Sequence, residues 1–147
     1  MSANLRVQGT CVALPMGGGE FSAVLLRGAP GTGKSDLALR LIDGSALLVA
    51  DDLIELSPQQ GVLIATAPQT IRGRMEVRGV GILAVPSIES APLALLVDLV
   101  PADAVERLPQ PAFEKIGEIR LPRLALAPFE SSAPAKIRVA LQALRGT

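Results

Sequence analysis

This chain contains no histidine, no tryptophan and no tyrosine, and only three phenylalanines. Missing histidine removes the commonest general base and the commonest metal-binding side chain, so acid–base work falls to carboxylates. The scarcity of aromatics leaves the core to Leu, Val, Ile and Ala. It also takes away the stacking platforms on which single-stranded nucleic-acid binders rely. Charge points the same way: 14 Lys plus Arg balance 14 Asp plus Glu, so no net field draws in a polyanion. A single cysteine, Cys11, excludes an internal disulfide and a thiolate zinc cluster. No apolar run reaches transmembrane length, and the N-terminus has no basic-then-apolar signal pattern. The expectation is a soluble cytoplasmic protein with no nucleic-acid or membrane partner. What is plentiful is aliphatic: 49% of the 147 residues are hydrophobic, enough for one globular domain spanning 1–147 with a single core.

Against that background one stretch stands out, Gly28-Ala29-Pro30-Gly31-Thr32-Gly33-Lys34-Ser35. It fits the phosphate-loop pattern G-x-x-x-x-G-K-[ST] at every fixed position. An apolar run of strand length, Phe21 to Leu26, precedes it. A helical pattern follows, with Leu37, Leu41 and Ile42 on one face and Ala38 beside them. Glycines allow a tight turn whose N–H groups point inward around a phosphate. The first helical turn adds unpaired N–H groups and the positive end of the helix dipole. Lys34 supplies an ammonium for the β- and γ-phosphates, and Ser35 a hydroxyl ligand for Mg2+.

In chain order, Leu5 to Leu14 reads as a strand and Pro15 to Gly19 as a turn, giving a hairpin into the phosphate loop. The helix after the loop ends near Asp43-Gly44. Ala46 to Asp52 is an apolar strand ending in two carboxylates, the place where a nucleotide-binding protein keeps its metal-side or base-side acid. On an extended strand Asp51 and Asp52 point opposite ways, one toward the phosphates and the other toward a different partner. Leu53 to Leu56 continues extended, Ser57 to Gly61 turns, and Val62 to Thr66 returns. Pro68 to Arg74 is a polar connection or short helix. Met75 to Ile82 reads as one strand, extended by Leu83 to Val85, in which Glu76 and Arg78 share a face. Its two glycines, Gly79 and Gly81, imply close backbone approach or backbone angles that other residues resist. Leu93 to Val100 is an unbroken apolar strand buried on both faces. Ile119 to Leu126 is a weaker strand interrupted by Pro122. Ser131 and Ser132 cap a helix with an early Pro134 and an apolar face of Ile137, Ala140, Leu141 and Leu144.

The phosphate loop, Leu48-Val49-Ala50-Asp51-Asp52 and above all Met75-Glu76-Val77-Arg78-Gly79-Val80-Gly81-Ile82 resemble the catalytic domain of HPr kinase/phosphorylase. The resemblance runs from about Val7 to the C-terminal helix. It is closest to the short form made of the catalytic domain alone. It implies an α/β fold with a mixed sheet, a P-loop kinase domain related to phosphoenolpyruvate carboxykinase. It implies ATP and Mg2+ as cofactors and a serine of the phosphocarrier HPr as acceptor. Carried over residue by residue, Lys34 and the loop from Gly28 to Ser35 bind ATP phosphates. Ser35 and Glu76 ligate Mg2+. Asp51 is the base that takes the serine proton, and the acid in reverse. Arg107 lies near the transferred phosphoryl, with Arg78 and Asp52 as support. Oligomeric state is left open, a homo-oligomer included.

Two departures follow. The family has a histidine on the first strand where this chain has Gln8 or its neighbour Gly9, and glutamine can bond a carboxylate but cannot carry charge. Pro122 to Pro128 matches only loosely the loop used for phosphate release. Kinase activity is therefore expected ahead of phosphorylase activity. An ATP-sensing module without turnover and a small-molecule kinase on the same fold are the alternatives.

Overall fold

A computed structural model describes residues 4–146. Its strands are β1 Leu5–Gly17, β2 Glu20–Arg27, β3 Leu47–Gln59, β4 Val62–Thr66, β5 Arg74–Val77, β6 Gly81–Ala84, β7 Ser90–Leu99, β8 Ala112–Ile116 and β9 Ile119–Leu126. Its helices are α1 Lys34–Asp43 and α2 Ala133–Arg145. The main sheet runs β2-β1-β3-β4-β7-β9-β8, and β2 also pairs with β7. Five strands therefore close on themselves in the circuit β2-β1-β3-β4-β7, with β9 and β8 continuing from β7. Pairing of β2 with β7 and of β7 with β9 is parallel, while the remaining ladders are antiparallel. The domain is thus mixed α/β. Among the described residues no helix is long and apolar enough to cross a membrane.

Closure explains the composition of the strands. Alternate side chains of β2 go to different cores. Val24 and Leu26 pack with Leu37, Leu41, Ile137 and Leu141 of the two helices. Ala23 and Leu25 point into the circuit with Cys11, Ile54, Leu56, Leu63 and Leu96. A strand with a core on each side has no polar face, hence the unbroken runs in β2 and β7. Each fully buried leucine contributes about 1.5–3 kcal/mol. The scarcity of rings is met by many aliphatic contacts on two faces.

Several elements differ from expectation. β1 continues through Pro15 to Gly17, and the turn shrinks to Gly18-Gly19. Pairing with β3 ends at Ala13, so Pro15 lies where β1 has a partner on one side only, as a proline requires. β3 likewise runs to Gln59, and Gln60-Gly61, with φ of 52° and 81°, makes a two-residue hairpin turn. Met75 to Val85 is not one strand. It is the hairpin β5–β6, in register Val77↔Gly81 and Glu76↔Ile82. Gly79 and Gly81 have φ of 86° and 131°. The glycines mark backbone angles rather than close approach, and Arg78 lies in the turn, so it shares no strand face with Glu76. β8 was not anticipated. Pro122 lies in β9 just before parallel pairing with β7 begins at Arg123. Ser132 sits at the N-cap of α2 without a side-chain capping bond, although Pro134 is in the first turn as expected. Leu144 remains 38% exposed at the end of that helix.

Candidate active site

Strands β2, β7 and β9 run parallel, so their C-terminal ends share one edge of the sheet. The phosphate loop leaves β2 there, residues 100–111 leave β7, and residues 127–132 leave β9. Ligand sites in parallel sheets gather outside such an edge.

Charge anchors the root of the loop. Arg27, the last residue of β2, bonds Asp98 of β7 through Nε (2.9 Å) and Nη2 (3.2 Å). It also bonds both carboxylate oxygens of Glu114 in β8, at 2.7 and 2.9 Å. Arg123 of β9 reaches Glu114 at 3.2 Å and Asp98 at 3.8 Å. Two arginines and two carboxylates thus tie four strands together immediately before Gly28. The guanidinium of Arg27, helped by Arg123 and opposed by partial desolvation, pushes the Glu114 carboxyl down to about 2. The same bonds push Arg27 upward. Because the Glu114 value is lowered on folding, its contribution is complete above its ordinary value of 4.5 and is lost as pH falls toward about 2. Stability should therefore decline between about pH 4.5 and 2, and Glu114→Gln should flatten that decline. Denaturant melts across the interval, compared between wild type and variant, check this; equal slopes would contradict it.

The loop itself is held by its own groups. Thr32 donates its N–H (3.2 Å) and its hydroxyl (2.7 Å) to the Ala29 carbonyl. Gly33 occupies the N-cap of α1 at φ 100°, a left-handed angle that favours glycine. The Lys34 ammonium folds over the loop, donating to the carbonyls of Gly28 (2.6 Å) and Ala29 (3.1 Å). The first intrahelical bond is Leu37 N–H to Gly33 O, 2.9 Å. The earlier N–H groups of α1 therefore lack intrahelical acceptors.

Asp51 joins three elements at the end of this loop. Its Oδ1 accepts from the Thr10 hydroxyl (3.0 Å) on β1 and the Ser35 hydroxyl (3.3 Å) on α1. Its Oδ2 accepts from the backbone N–H of Glu76 (3.4 Å) on β5. The local chain is irregular on both sides of it. Register shifts between Cys11↔Ala50 and Val12↔Leu48, leaving Val49 as a bulge, and Asp52 takes φ of 79°. Bulges re-aim side chains next to functional sites. Asp51 is half-buried, whereas Asp52 is exposed and its carboxylate has no hydrogen bond or ion pair with the described residues. The two carboxylates differ in their surroundings: Asp51 is bonded at the junction, and Asp52, on the residue with the left-handed angle, is exposed.

Thr10 is the residue that sequence reasoning missed. It is 1% exposed, a polar side chain within an apolar core, and its hydroxyl is spent on Asp51. Gln8, the expected hydrogen-bond partner, is exposed and stands opposite Leu53 in the ladder, with Thr10 opposite Asp51. Gly9 between them admits no side chain: a Cβ there would lie 2.6 Å from the Leu26 carbonyl oxygen. Glu76 is brought to the site by its backbone while its carboxylate is exposed. Arg78, in the β5–β6 turn, and Arg107, in the segment after β7, are exposed and make no bond to the described residues. Nothing brings either into contact with the loop.

Residues 1–127 match the model of the HPr Serine kinase C-terminal domain. The chain belongs to that family. It is 43% identical to the HPr kinase/phosphorylase of Bordetella pertussis over 97 residues, 58% of this chain and 32% of that protein. With the HPr kinase/phosphorylase of Geobacillus thermodenitrificans it shares 34% identity over 115 residues, 70% of this chain and 37% of that protein. The matches thus cover about a third of these relatives' length. The solved structure of the Hpr(Ser) kinase/phosphatase from Coxiella burnetii superposes with a TM-score of 0.78 at 22% identity, covering 96% of each chain. That likeness concerns the fold.

Family membership implies ATP and Mg2+, and the residues present fit both. The loop's free N–H groups and the Lys34 ammonium suit phosphate oxygens. The Ser35 hydroxyl and the exposed Glu76 carboxylate are hard oxygen ligands of the kind Mg2+ takes. Among the described residues no cluster of three or more acidic or other metal-binding side chains occurs. Mg2+ does not need one, because it takes one or two protein ligands and the rest from phosphates and water.

Proposed function

We propose that the chain, as a single catalytic domain, is an ATP- and Mg2+-dependent kinase of a serine on an HPr-type phosphocarrier, built on a fold of the kind found in phosphoenolpyruvate carboxykinase. The observation that carries the reading is the junction at Asp51, where the end of a complete phosphate loop meets a half-buried carboxylate. MgATP supplies an activated phosphoryl group whose developing charge the metal helps to neutralise. The backbone of Gly28–Ser35 and Lys34 would hold its phosphates, and Ser35 and Glu76 would hold the metal. Asp51 takes the proton as the serine oxygen bonds to phosphorus. The bond from phosphorus to the bridging oxygen breaks, and ADP departs. Arg107, Arg78 and Asp52 lie outside the contacts of this junction and would join it only when phosphates and acceptor are bound.

Incubation with γ-labelled ATP, Mg2+ and purified HPr tests the reading. Label on an HPr serine supports it. ATP binding without turnover would favour a nucleotide sensor, and label on a small molecule alone a different kinase.

Direction follows from the groups around Asp51. Its side-chain partners, Thr10 and Ser35, are hydroxyl donors and carry no charge. Transfer to serine needs a proton acceptor at this place, and phosphate release needs a proton donor. With no histidine to titrate near neutral pH, and with Gln8 exposed and opposite Leu53 rather than beside Asp51, phosphoserine-HPr plus inorganic phosphate should be dephosphorylated slowly or not at all. Rapid dephosphorylation by the unmodified protein would contradict this.

A further inference from the structure

The three phenylalanines have different surroundings. Phe21 packs against the core inside the strand circuit, and Phe113 is covered by the Arg120 guanidinium at 3.7 Å. Phe129, in the segment from β9 to α2, is 69% exposed. Single exposed rings are ordinary on protein surfaces, but the placement of this one is not. It lies directly on the phosphate loop: a Cβ built on Gly33 would stand 2.9 Å from its Cζ and 3.1 Å from its Cε1. Its backbone is clamped on both sides. Arg40 of α1 donates to the carbonyl of Pro128 and, at 3.2 Å, to that of Glu130. Arg40 is itself held by Asp36 at 3.1 Å, and the Glu130 carboxylate is held by Lys136 of α2 at 3.1 Å. An apolar ring is thus fixed beside the loop with most of its surface in water.

We propose that Phe129 is the platform on which the nucleobase of ATP stacks, a binding residue that sets preference for a nucleotide over a bare polyphosphate. The proposal rests on the ATP-dependent reading above. Phosphates seated in the loop leave the base to fall beside it. A flat apolar surface adjoining the loop recovers water-exposed area from both partners, and stacking on an aromatic face tolerates any base.

The test compares MgATP with Mg-tripolyphosphate, which has the phosphates without the base. Phe129→Leu keeps the apolar contact with Gly33 and removes the aromatic face. It should weaken MgATP on the order of ten-fold and leave tripolyphosphate affinity unchanged. Because the chain has no tryptophan, the indole introduced by Phe129→Trp is a single fluorophore. It should retain MgATP affinity and be quenched by MgATP but not by tripolyphosphate. Equal loss of both ligands in Phe129→Leu, unchanged ATP affinity, or an indole indifferent to ATP would each overturn the platform. Wild-type protein that binds neither ligand would overturn the nucleotide reading itself, and the platform with it.

Discussion

Lys34→Ala is expected to abolish ATP use while leaving the fold intact. Lys34 is the one charged residue from Gly28 to Ser35, so the loop's positive charge beyond its dipoles resides there. Its ammonium bonds two carbonyls of the loop itself, Gly28 and Ala29, and no core group. Both carbonyls lie at the loop surface, where water replaces the lost donor, so stability should fall by about 1 kcal/mol or less. Loss of a cation that neutralises the transferring phosphoryl costs on the order of a hundred-fold or more in rate. Nucleotide titration and transfer assays beside a thermal melt check both halves. Wild-type ATP affinity and transfer in the variant would remove the loop from the account.

Asp51→Asn should keep MgATP binding and lose transfer to serine, by on the order of a hundred- to ten-thousand-fold. A serine hydroxyl is a weak nucleophile without a proton acceptor, and no histidine can stand in. The amide is nearly isosteric, yet it cannot reproduce the bonding. Asp51 accepts on both oxygens, from Thr10 and Ser35 on one and from the Glu76 N–H on the other. With its oxygen toward the two hydroxyls, asparagine sets an NH2 against the Glu76 N–H, two donors face to face. A stability loss of about 1 kcal/mol should accompany the loss of rate. Asp52→Asn is the comparison that assigns the base, since the exposed Asp52 carboxylate has no hydrogen bond or ion pair with the described residues. If that variant is inactive while Asp51→Asn transfers normally, the base is the other carboxylate.

What could be read from the residues was what repeats or what glycine and proline dictate. The phosphate loop, α1 and the two-sided strands β2 and β7 follow from fixed motif positions and unbroken apolar runs. The β5–β6 hairpin did not, because glycine marks a permissive angle without saying whether the chain turns back or passes close to a neighbour. Contacts distant in sequence were also illegible. Arg27 meets partners 71 and 87 residues away, and nothing in a lone Asp98 or Glu114 names an arginine. Thr10 faces Asp51 through a register set by the Val49 bulge, and no periodic rule reports a bulge. Gln8 was the expected neighbour because the family resemblance sets a histidine at Gln8 or Gly9; a two-residue offset on one strand separates the core hydroxyl of Thr10 from that surface amide.

The most direct measurement of the central claim is a crystal structure of the protein with Mg2+ and a non-hydrolysable ATP analogue. The account predicts phosphates cradled by Gly28–Ser35, the Lys34 ammonium moved from the loop carbonyls onto phosphate oxygens, and the metal on the Ser35 hydroxyl. It also predicts the Asp51 carboxylate facing the terminal phosphate. A nucleotide seated elsewhere, or a loop occupied with Asp51 turned away from the terminal phosphate, would contradict it.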